Sequence, residues 1–137
     1  MKLTFLVYIL PRIIFGLFLF FHGTFNVYDY SNFLLRLNSY FTKTTFFNLE
    51  ILKALGPLVP FIEFIIGFFL LLDFFIKPVL WVATILFSGI ILFLLDAKEE
   101  SLLTTHIILL SVTLTLYINE RYNLRGSDKT DSWSMKL

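Results

Sequence analysis

The chain contains no cysteine. Disulfides, thiolate metal sites and thiol redox steps carried by its own side chains are thereby excluded. Charge is scarce as well. Asp, Glu, Lys and Arg make up 15% of the 137 residues, against about 25% in an average soluble domain. The scarcity is uneven. Residues 78–95 and 101–119 carry no charged side chain, Arg12 is alone between Leu3 and Tyr28, and Glu63 is alone between Ala54 and Leu72. A net charge of +1 gives no basic surface, so no nucleic-acid partner is expected. There are two histidines, no short-spaced metal motif, no glycine-rich phosphate loop and no nucleophile motif. No metal site and no catalysis by the chain alone is expected.

What is abundant is apolar: 58% of residues are hydrophobic and 18 are phenylalanine. The charge-poor runs form four stretches of about 18–25 residues, the length of helix that crosses roughly 30 Å of hydrocarbon. The expected fold is all-α, an integral membrane four-helix bundle over residues 1–119 with the lipid bilayer as its solvent. Its helices are expected at about 4–22, 57–76, 78–95 and 102–119, followed by a polar tail, 120–137. Pro11 falls inside the first helix, where neighbouring helices can satisfy the carbonyl it frees. A cleaved secretory signal is not expected, because Pro11-Arg12 interrupts the apolar run and no small-x-small site follows it.

The connection 24–56 reads as two short interfacial helices. Ser31 is the expected cap of NFLLRLNSYF, and Thr44 or Thr45 that of FFNLEILKAL, which is expected to stop at Gly56-Pro57. Lys77-Pro78 is the expected second turn, with Pro78 opening the third helix. DAKEES, 96–101, is the third turn, its acidic residues favoured by the dipole of the fourth helix. Four crossings place both termini on one face. Lys2, Lys77, Arg121, Arg125, Lys129 and Lys136 fall there, against Arg36, Lys43, Lys53 and Lys98 on the other. That bias points both termini to the cytoplasm.

Ionisable groups inside spanning helices turn toward a partner or water rather than acyl chains. Arg12, Gly16, Leu19 and Gly23 share one side of the first helix at offsets of 4, 7 and 11. Glu63, Gly67, Leu70 and Phe74 are expected to share one side of the second at the same offsets. Small residues let backbones approach, so these sides are expected to meet, with Gly16, Gly23 and Gly67 at the contact. Arg12 has two candidate partners, Glu63 and Asp73, and Asp73 can also pair with Lys77 four residues on. His22, at the end of the first helix, and His106, a turn into the fourth, are placed near Glu63. Arg12, His22, Glu63 and His106 are therefore the candidate polar cluster, able to move protons. The plainer alternatives are a charge pair that fixes packing and, for His106, a hydrogen bond to a backbone carbonyl.

RIIFG, FFHGTFN and EFIIGFFLLLDFF resemble the pattern of the DoxX-like membrane proteins: Arg-x-x-x-Gly, then Gly-x-x-Lys, then Glu-x-x-x-Gly with a leucine run. Arg12 with Gly16, Gly23, and Glu63 with Gly67 carry the likeness. Asn26 stands where the pattern has lysine, so a role needing that cation is in doubt. The resemblance implies a four-helix inner-membrane protein acting as an accessory subunit of a redox system. Some such proteins are small subunits of thiosulfate:quinone oxidoreductase. It thus implies an oxidoreductase as partner and a contact with quinone, with no bound cofactor of its own. Another branch aids maturation of methylamine dehydrogenase, which without cysteine is not expected here. A proton-coupled transporter, a structural scaffold and a homo-oligomer are the competing expectations.

Overall fold

The computed structural model describes residues 2–120; the polar tail beyond Glu120 lies outside them. Six α-helices follow one another, and no strand occurs among the described residues. Helix α1 covers Lys2–Tyr28, α2 Tyr30–Lys43 and α3 Glu50–Leu55, and a 3-10 turn at Gly56–Leu58 leads into α4, Val59–Leu72. Helices α5, Ile76–Ala97, and α6, Glu100–Ile118, complete the bundle. Four segments are long and apolar enough to cross a membrane: Leu6–Tyr28, Glu50–Leu72, Ile76–Ala97 and Glu100–Ile118. The chain is an all-α, multi-pass membrane protein.

The first helix runs past its expected end at His22. Gly23 does not break it, because the missing side chain is used for packing on α4, and the helix continues to a buried Asn26. Asp29 alone separates α1 from α2; its amide bonds the Phe25 carbonyl and its carbonyl takes the Phe33 amide. Its side chain accepts from Asn32, so Asp29 rather than Ser31 opens the surface helix. Thr44 closes α2 instead of opening the next element, its amide and hydroxyl both bonding the Phe41 carbonyl.

The second span also differs from expectation. Residues 44–49 are irregular, α3 is only six residues long, and the chain does not stop at Gly56. Gly56 keeps right-handed helical angles, and Pro57 occupies the first positions of the 3-10 turn, where no amide donor is needed. The turn after it comes earlier than Lys77-Pro78. Asp73 and Phe75 both hold left-handed backbone, φ 60 and 50. The Asp73 and Phe74 amides return to the Phe69 carbonyl, closing α4 at Leu72. Lys77 and Pro78 lie in the first turn of α5, where the absent proline N–H is harmless. At the other end α5 extends through Asp96 and Ala97, leaving Lys98 in left-handed conformation as the hinge into α6.

Helix α1 packs most extensively on α4, and α5 on α6. Phe15, Leu19, Ile66, Leu70, Leu80 and Phe87 fill the centre. Large apolar side chains such as Phe21, Phe25, Trp81, Ile85, Leu92 and Ile108 face outward instead. A water-soluble monomer rarely exposes so much contiguous apolar surface; a bilayer removes the cost.

Candidate intramembrane polar site

The site begins with bare backbone. A Cβ on Gly67 would lie 2.4 Å from the Phe20 amide nitrogen, and one on Gly23 would lie 2.6 Å from both the Phe64 nitrogen and the Pro60 carbonyl oxygen. A Cβ on Gly16 would meet the Gly67 carbonyl and Leu70 at 3.2 Å. The expected glycine seam therefore forms, with α1 and α4 antiparallel and nearly in backbone contact.

Two polar pairs bracket this seam. The Arg12 Nη1 bonds Asp73 Oδ1, and His22 Nδ1 lies 2.8 Å from Glu63 Oε2. The pairs are ten residues apart on both helices, 12 to 22 and 63 to 73, as one antiparallel register requires. Arg12 and Glu63 are consequently offset by roughly 15 Å along the axis, and the alternative pairing between them does not occur. Left-handed Asp73 ends its helix and presents its carboxylate to Arg12.

Between the pairs the seam is dry. Leu19 and Leu70 have no exposure, and Phe15 and Ile66 are buried beside them. Below it, Tyr8 and Arg12 lie one helical turn apart; the Tyr8 hydroxyl and Arg12 Nε have no hydrogen-bond partner among the described residues. Above it, Asn26 sits one turn beyond His22 and accepts a 3.0 Å bond from Arg36 of α2. Tyr30 of the same helix donates to the Pro57 carbonyl at 2.9 Å and packs its ring on Phe61.

Glu63 is 2% exposed, whereas the His22 side chain is 41% exposed and stacked on Phe18 at 5.6 Å. Which partner donates in this contact depends on the protonation of the pair. With Glu63 ionised, the imidazole donates from Nδ1; with Glu63 protonated, the carboxyl donates to it. A second proton converts the pair to imidazolium and carboxylic acid.

His106 does not join them. Its Nδ1 takes the plainer arrangement, 2.8 Å from the Leu102 carbonyl of its own helix, with its ring near Phe87. Among the described residues no three His, Asp or Glu side chains converge as metal ligands.

Three residues of the site were not singled out in the sequence as members. Asn26 showed only as a departure from the lysine of a resembling pattern, and Arg36 only as one of several charges in a loop. Asp96 was read as a helix-dipole residue. It instead accepts the amides of Thr45, Phe46 and Phe47, each at 2.9 Å, and the Thr45 hydroxyl at 2.8 Å. Lys43 pairs with Glu99 beside it. Successive amides converging on one carboxylate form a backbone nest, and here the nest straps the mouth of the bundle. No family model, curated protein or solved structure matches the chain.

Proposed function

We propose that the chain is an accessory subunit of the cytoplasmic membrane whose His22–Glu63 pair takes up and releases a proton within the bilayer for a redox partner. The observation that carries this reading is a carboxylate 2% exposed and hydrogen-bonded to a half-exposed imidazole. With the Asp73 turn at one boundary, the pair lies about 15 Å in, near the middle of about 30 Å of hydrocarbon. Ionisable groups at that depth are costly and mark function. The redox partner enters through the likeness of Arg12/Gly16 and Glu63/Gly67 to DoxX-like proteins, some of which serve quinone-linked oxidoreductases. Quinone reduction consumes protons in the lipid phase, where a buried carboxylate can supply them. Both termini are assigned to the cytoplasm on the Lys and Arg bias.

Purification in mild detergent tests the assignment. An oxidoreductase should accompany the chain, and Glu63→Gln should leave the complex assembled while lowering its quinone turnover about a hundredfold, the scale of general acid–base assistance. Recovery of a homo-oligomer with no redox partner, or unchanged turnover, overturns the reading. The glycine seam favours a second one, a structural scaffold in which the polar pairs only fix helix packing. On that reading, replacing His22 and Glu63 together by leucine is tolerated, because a buried pair can be exchanged for apolar packing.

A further inference from the structure

We propose that the His22–Glu63 pair exchanges protons with one face of the membrane only, the face covered by α2, by way of water admitted along the side where Asn26 and Arg36 lie. The inference rests on the proton-binding reading of the pair and adds the direction from which the pair is served.

On that side polar side chains recur at one-turn spacing, with the Gly23 contact on Pro60 and Phe64 between them. His22 contacts Glu63, Asn26 follows one turn along α1, and Asn26 holds the guanidinium of Arg36, which is exposed. On the other side nine residues of each helix separate the pair from Arg12 and Asp73. That interval holds Leu19, Ile66 and Leu70, all buried, and the backbone contacts at Gly16 and Gly67. Water in that interval would find no polar side chain to bond.

Among the described residues no other charged side chain bonds His22 or Glu63. Beyond the pair, α1 brings Asn26 and α2 brings Arg36. On α5, Lys77 and Asp96 sit at opposite ends of the helix, and His106 of α6 is engaged with its own backbone and Phe87. The hydroxyl of buried Thr113 is likewise returned to its own helix, donating to the Leu109 carbonyl at 2.7 Å. A proton reaching Glu63 from the Asp73 face would have to cross the leucine layer.

Arg36 adds a filter. A fixed cation over the entrance repels metal cations, while a proton can arrive on water or a neutral acid. The port thus serves hydrogen ions without opening a cation leak.

The test uses the full chain in phosphatidylcholine vesicles sorted for one orientation by an added C-terminal tag. The infrared carboxyl band of Glu63, identified by its loss in Glu63→Gln, is followed after the pH of one compartment is changed. It should track the pH on the α2 face and ignore the Asp73 face. Asn26→Leu should slow the response about tenfold or more, the equivalent of one lost hydrogen bond to a charged group. Arg36→Gln, which takes the donor from Asn26 and leaves the α1–α4 glycine contacts untouched, should slow it in the same direction. Equal response to both faces, or response to the Asp73 face alone, overturns the one-sided route while leaving the pair a proton site. A Glu63 band that does not move when both faces are equilibrated at any pH overturns the proton-site reading itself.

Discussion

Gly23, Gly67 and Gly89 carry the same side chain and opposite consequences. The first two are where α1 and α4 touch through their backbones; Gly89, on α5, has nothing within 4 Å of an added Cβ. Gly67→Ala or Gly23→Ala should destabilise the bundle by about 1–3 kcal/mol or more, the usual cost of overpacking. Gly89→Ala should stabilise it by about 0.4–1 kcal/mol, since alanine restricts the unfolded chain and suits the helix. Denaturant titration in detergent micelles reads all three. The residue scale was partly legible. Gly16, Gly23 and Gly67 follow from helical spacing beside a charge, because a side of known periodicity needs no tertiary information. Which acid meets Arg12 was not legible, because it depends on register. A turn at Lys77-Pro78 instead of Asp73–Phe75 moves the end of the helix by about one turn. Phe75 hid the true turn: bulky residues seldom adopt left-handed backbone, so no sequence rule places it there.

Among the elements, the segment between α2 and α3 is the one held by borrowed bonds. Its amides at Thr45, Phe46 and Phe47 have no helix of their own and depend on Asp96. Asp96→Ala removes the acceptor for all three at once. Amide exchange at residues 45–47 should rise sharply, because water then replaces a fixed acceptor. Exchange along α1 and α4 should not change, because their contact lies elsewhere. Hydrogen exchange resolved by residue checks both halves of this expectation. The sequence signalled helices here from an apolar period and two threonines. It could not signal the strap, since an aspartate some fifty residues downstream supplies its acceptor. The four spans were legible for the opposite reason: length and apolarity are local quantities, and a bilayer makes them decisive.

At the scale of the whole molecule, the four candidate spans predict that the chain returns to the face from which it started. The absence of cysteine makes this directly measurable. Thr45→Cys and Asn119→Cys, each introduced singly, should react with a membrane-impermeant maleimide from opposite faces. Reaction of both from the same face would exclude three crossings between these two positions. The bundle is also divided by how tightly its parts hold one another. One antiparallel couple, α1 with α4, is clamped by glycine contacts and by a polar pair at either end. The other, α5 with α6, packs closely along its own length, while the contact between α4 and α5 is slight. Sliding α1 along α4 by a single turn would break both polar pairs together and drive side chains into the glycine gaps. A movement that kept each couple intact and swung one against the other about the three-residue elbow at Asp73–Phe75 would have to part the Phe15–Phe87 contact they share and release the strap on Asp96.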